Sequence, residues 1–156
     1  LALVLVYALL GNCVCIVASC RPAGCLLHHF FHANIFHLAA NCLAVWTMFR
    51  KGWKDSWREL LAGYLIGSIS FLASAYPVVG LSNLLFAVLG IRAVRTGWWR
   101  TKYCIVLWAT LLATAFIPGV SGLTHIVSCS LGMLAGFVSI KYRQLSIDYG
   151  KARGDK

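Results

Sequence analysis

The chain has 156 residues and a mass of 17.1 kDa, with 60% apolar residues, 12% charged residues and a mean hydropathy of +0.79. A water-soluble core of this size carries about a quarter charged residues, so the composition excludes an ordinary cytosolic enzyme, a disordered chain and a disulfide-framework miniprotein. It points to a membrane protein, and the formal net charge of +10 sits in short basic blocks between apolar runs, as in membrane loops. No nucleic-acid partner is expected from charge arranged in this way.

Seven cysteines, Cys13, Cys15, Cys20, Cys25, Cys42, Cys104 and Cys129, include no Cys-x-x-Cys pair. Most lie inside apolar runs, where Cys acts as a small hydrophobe; Cys20 and Cys25 flank an outer loop and would pair only in an oxidising compartment. Leu1–Ser19 lacks the charged leader and the processing site of a cleaved signal peptide and reads as a span.

Six apolar runs follow in chain order, roughly Leu1–Ser19, Ala33–Phe49, Leu60–Tyr76, Leu81–Ile91, Tyr103–Ile117 and Leu123–Ile140. About 17–25 residues are needed to cross the hydrocarbon as a helix, and only the fourth run falls well short. The predicted fold class is an all-α membrane protein, with a six-span domain over 1–140 and a basic tail over 141–156. Arg50, Lys51, Lys54 and Arg58 lie between runs two and three, Arg92, Arg95, Arg100 and Lys102 between runs four and five, and five more basic residues in the tail. With only Arg21 left over, 13 of 14 basic residues share one face, which the positive-inside rule makes cytoplasmic along with both termini. Trp53, Trp57, Trp98, Trp99 and Tyr142 accompany those blocks as an interfacial belt.

The fourth run has 11 residues between Gly80 and Arg92, about 16 Å of helix in a hydrocarbon core about 30 Å thick. With Arg92 at the inner surface, this helix starts inside the membrane, and Pro77-Val78-Val79-Gly80 descends to it without helical bonding. Such backbone is tolerated where protein buries it or where it lines a wet cavity. Ser82 then lies in the first turn, where unpaired N–H groups and the helix dipole favour developing negative charge.

The second run carries His32-x4-His37-x3-Asn41, whose last two members share a helical face. Polar groups inside a membrane are costly, although an interhelical hydrogen bond is the plain alternative for Asn41, and His32 lies near the interface beside His28 and His29. The sixth run opens with His125 and continues with Ser128, Gly132 and Gly136, a small-residue stripe that permits close helix approach. A serine at a buried helix start, a histidine on a close-packing helix and an Asn–His face on a third are the parts of acyl transfer.

In these motifs and their order the chain resembles the rhomboid family of intramembrane serine proteases, over essentially its whole length. The family's second-helix motif is intact as His32, His37 and Asn41; its Gly-x-Ser-Gly appears as Gly80-Leu81-Ser82-Asn83, and its sixth-helix motif runs from His125 through Ser128 to Gly132. The resemblance implies that Ser82 is the nucleophile and His125 the general base. It implies an oxyanion hole formed by Asn41, His37 and the Ser82 N–H, with His32 in support. It further implies transmembrane proteins as substrates, helix-weakening residues at their cleavage sites, and the simple six-span form of bacterial cell membranes. The chain departs from the family at Asn83 and Ser128, each in place of Gly. Asn83 is expected either to crowd the oxyanion hole or to donate to it, and Ser128 to add volume between helices four and six. Phe86 stands where many relatives have a Tyr stacked on the histidine, and the first loop, from Cys20 to about Phe31, is short and lacks their Trp-Arg pair.

Gly119-Val120-Ser121-Gly122 matches the serine motif more literally, but it follows Pro118 in a loop with no assignable oxyanion donors, so Ser82 is the expected nucleophile. The acidic residues Asp55, Glu59, Asp148 and Asp155 all fall on the cytoplasmic side, so a Ser-His dyad without a carboxylate is expected, its imidazole oriented by packing against Phe86. No metal or other cofactor is called for. Three other readings compete: an inactive rhomboid-like protein that binds transmembrane clients, a metal or haem site on His28, His29, His32 and His37, and a small transporter. His32 and His37 lie about 140° apart around a helix, and supporting carboxylates are missing, which disfavours the metal. The transporter lacks an inverted repeat or an intramembrane charge.

Overall fold

The computed structural model describes residues 21–49, 56–74, 78–116 and 120–154, and among these the chain is all helical, without strands. Helix α1 (Arg21–Leu27) leads through a 3-10 turn, His28–Phe30, to α2 (Ile35–Phe49). Helix α3 (Ser56–Ser70) ends in a second 3-10 turn, Phe71–Ala73, and is followed by α4 (Ser82–Arg95), a third turn at Trp98–Arg100, α5 (Lys102–Thr114) and α6 (Gly122–Gly154). The expected first span, Cys13, Cys15 and Cys20, Pro77, Pro118-Gly119 and most of the first basic block lie outside the described residues.

Helix α4 is the core of the bundle. Leu84, Leu85, Ala87, Val88, Ile91, Ala93 and Val94 are all buried, so the helix is enclosed on every side, as an element apolar all round requires. Its close neighbours meet it backbone to backbone. A Cβ placed on Gly132 of α6 would collide with the Ala87 carbonyl, and one on Gly90 of α4 with the Cys129 carbonyl. Ser128, Gly132 and Gly136 are all buried, and Gly136 faces the Ile91 carbonyl, so the small-residue stripe seats α6 on α4.

Among the described residues, several helices carry large apolar side chains on their outward faces. Phe36, Leu43 and Trp46 on α2, Ile105, Val106 and Leu112 on α5, and Leu134 and Val138 on α6 all face outward. Helix α6 is long and apolar enough to cross a membrane, over Gly122–Lys151, while the apolar parts of α2 and α5 are shorter. It passes the expected tail boundary at Ile140 and Lys141 without a break and ends at Gly154.

Two local devices fix the ends that matter. Asn34 caps α2, its side-chain oxygen accepting the His37 N–H at 2.9 Å, which sets where His37 and Asn41 project. At the far end of α4, Glu59 of α3 accepts from Arg92 Nε at 2.8 Å and from Arg95 at 2.6 Å. The start of α3 and the finish of α4 therefore lie at one end of the bundle, and Ser82 lies at the other.

Candidate functional site

Ser82 opens α4, and His125 lies in the first turn of α6. The seating of these helices brings Ser82 Oγ to 2.8 Å from His125 Nε2, across 43 residues of sequence. Phe86, one turn beyond Ser82, sets its ring against the imidazole with centroids 4.7 Å apart and planes tilted by 36°. The serine, the histidine and the expected stacking ring are thus assembled at one helix start.

Gly80 lies just before that start with φ +109°, a left-handed conformation that favours glycine, and donates its N–H to the His28 carbonyl at 2.8 Å. Any Cβ on Gly80 would come within 2.6 Å of His37 Nε2 and 3.2 Å of Asn41 Nδ2. The glycine therefore gives the α2 side chains access to the approach to Ser82. Asn41 is 5% exposed, and among the described residues its Nδ2 has no hydrogen-bond partner. A buried donor left unpaired costs about 1–3 kcal/mol.

His32 is fully buried and sets its ring edge-on to His37 at 5.2 Å. Neither of its ring nitrogens has a hydrogen-bond partner among the described residues. His28 and His29 are buried as well, because α1 and its 3-10 turn fold back onto α3, where Tyr64 donates to the Leu26 carbonyl at 2.8 Å. Burial lowers the pKa of His28, and burial together with the adjacent His28 brings that of His29 to about 3, so both rings are neutral. Among the described residues no group of three or more His, Cys, Asp or Glu side chains is arranged to hold a metal. The His28 ring is instead committed to protein partners, with Nδ1–H donating to the carbonyls of Gly24 and Cys25 at 3.1 and 3.0 Å.

The two residues that depart from the motif are both buried and hydrogen-bonded. The Asn83 side chain is fully buried, where Nδ2 donates to His28 Nε2 at 3.4 Å and Oδ1 accepts from Thr124 at 3.0 Å. Ser128 meets α3 through a hydrogen bond to Ser70. Because the Ser70 hydroxyl already donates to the Gly67 carbonyl at 2.8 Å, Ser128 is the donor of that pair. Thr124, Ser70 and His28 complete this arrangement, and no motif spacing in the sequence singles them out.

Ser121 of the literal motif is placed elsewhere. Its hydroxyl donates to Ser74 at 3.5 Å, and its carbonyl accepts the His125 N–H and shares the single Thr124 hydroxyl proton with Asn83 Oδ1, the work of a helix start. The imidazole Nε2 faces Ser82 instead.

This geometry sets a hydroxyl against an imidazole at a helix start, where the dipole favours negative charge, with the unpaired Asn41 amide against Gly80. Comparison with protein-family models, with curated protein sequences and with solved structures finds no match.

Proposed function

We propose that this chain is a rhomboid-like intramembrane serine endopeptidase, a six-span protein with both termini cytoplasmic, that hydrolyses peptide bonds in or near the transmembrane segments of other membrane proteins. The observation that carries the reading is the 2.8 Å hydrogen bond from Ser82 to His125 at the buried start of α4. The outward apolar faces of α2, α5 and α6 support the lipid setting. The Glu59–Arg92–Arg95 cluster, at the end of α4 away from Ser82, supports an active site toward the outer leaflet.

In the first step Ser82 Oγ attacks a backbone carbonyl of the substrate while His125 Nε2 takes the hydroxyl proton. The carbonyl oxygen, now negative, turns toward the Ser82 N–H, Asn41 Nδ2 and His37, whose donation is worth more in the transition state than in the ground state. His125 returns the proton to the leaving amine as the peptide bond breaks, leaving an acyl ester on Ser82. Water then attacks that ester as His125 takes a proton from it, and His125 returns the proton to Ser82 Oγ as the acid product departs. A substrate helix must unwind before its peptide bond is reachable, which favours clients with helix-weakening residues.

The competing reading, an inactive protein that holds transmembrane clients, drew its support from Asn83 and Ser128. Both side chains make hydrogen bonds away from the reacting atoms, which favours the active reading. The test is cleavage of a tagged model transmembrane substrate in detergent or liposomes by wild type, Ser82→Ala and Ser121→Ala. Wild type and Ser121→Ala are expected to cut and Ser82→Ala to be inactive. Loss in Ser121→Ala alone would move the site, and a folded wild type that cuts none of several helix-weakened substrates would overturn the protease reading.

A further inference from the structure

A histidine that accepts a serine proton at Nε2 must keep its own proton on Nδ1, and something must hold it there. In Ser-His-Asp enzymes a buried carboxylate accepts from Nδ1–H and fixes both tautomer and ring orientation. Here Glu59 is committed to Arg92 and Arg95 at the opposite end of α4, and Asp148 accepts from Gln144 far along α6. Among the described residues the group facing His125 Nδ1 is the hydroxyl of Thr114, in the last turn of α5, with Oγ1 at 3.3 Å.

We propose that Thr114 is the positioning residue of the dyad, holding His125 in the Nδ1–H tautomer; the proposal rests on the protease reading above. The direction of the bonds makes the argument. Thr114 has one hydroxyl proton, and it is donated to the Leu111 carbonyl at 2.6 Å. Only lone pairs then face the imidazole, so Nδ1 must be the donor. That leaves Nε2 bare, and the Ser82 hydroxyl donates to it. Donation runs one way along the chain, from Ser82 to His125 to Thr114 to the Leu111 carbonyl, and each bond polarises the next. The other tautomer would set a lone pair of Nδ1 against the lone pairs of Thr114 and a proton of Nε2 against the nucleophile. Phe86 fixes the plane of the ring, and Thr114 fixes its rotation within that plane.

The bond also joins two helices. Thr114 ends α5, much of whose surface faces outward, while His125 belongs to the firmly seated α6. The base is therefore competent only when the last turn of α5 is in place.

The test uses the full chain in detergent, with Thr114→Val to remove the hydroxyl at constant shape and Thr114→Ser to restore it. Thr114→Val is expected to lower kcat about tenfold to a hundredfold with little change in KM. It should slow labelling of Ser82 by a fluorophosphonate to the same degree, and Thr114→Ser should recover most of both rates. A second readout does not depend on turnover. In a Ser82→Ala background, the 15N shifts of the His125 ring should report the Nδ1–H tautomer, and adding Thr114→Val should turn it into a mixture. Wild-type rates and an unchanged ring spectrum in Thr114→Val would overturn the proposal, as would a Thr114→Ser variant as slow as Thr114→Val. A wild type that neither cuts nor labels, yet shows the Thr114-dependent tautomer, would sink the protease reading and leave the orienting bond standing.

Discussion

The two ends of α4 are built from opposite materials. At its start, neutral groups are buried and joined in short chains: Ser82 to His125, and Asn83 to both Thr124 and His28. At its finish, formal charges meet at a partly open surface, where the side chains of Arg92 and Arg95 are 28% and 41% exposed beside Glu59. Each neutral contact is modest in isolation, but a buried partner left behind by a substitution carries its whole desolvation cost. The ion pairs are strong by charge and weak in effect, because water screens them and solvates whichever partner remains. The end that looks less electrostatic is the less forgiving of change.

Three substitutions sharpen that contrast. Asn41→Ala, beside the start of α4, should cost about a hundredfold to a thousandfold in kcat with little change in yield, the usual effect of losing one oxyanion donor. Turnover close to wild type would remove Asn41 from the chemistry and leave it as an interhelical contact. Asn83→Ala should lower stability by about 1–3 kcal/mol, since it leaves His28 Nε2 without its donor and Thr124 without one of its acceptors. Denaturant titration of the full chain in detergent would read this as a lower midpoint, and an unchanged midpoint would mean that the buried network contributes nothing. Glu59→Gln, at the open end, should shift the same midpoint by less than about 1 kcal/mol and leave turnover intact. A larger loss there than at Asn83 would reverse the contrast.

Much of this was legible in the sequence, and the reasons differ by feature. The apolar runs from the second to the sixth each overlap a helix, because a long apolar run uninterrupted by proline offers the backbone little else. Helix ends were less legible. The third run was read as Leu60–Tyr76, whereas α3 starts at Ser56 and gives way to a 3-10 turn at Phe71. Helix α1 was not anticipated, since seven residues are too few to show a period. Ser82, His125 and Phe86 are paired in the sequence only through the resemblance to a family's motif order, and the structure sets the three side by side. The partners of Asn83 and Ser128 could not, because Thr124, His28 and Ser70 become neighbours only when three segments close on α4. Thr114 escaped for the same reason, being an ordinary threonine near the end of an apolar run until His125 is set opposite it.

The bare glycine contacts between α4 and α6 act as a gauge for the dyad. Gly132 rests on Ala87 and Gly90 on Cys129, main chain against main chain, with no rotatable side chain in between. A separation set in this way has almost no tolerance to lose, since there is no rotamer whose change could widen it. Ala87 is about two helical turns or less from Ser82, and Gly132 about two turns from His125, so both levers are short and stiff. The spacing between Ser82 and His125 is thus machined into the backbone, and side-chain contacts such as those of Phe86 and Thr114 have only the orientation of the ring left to set.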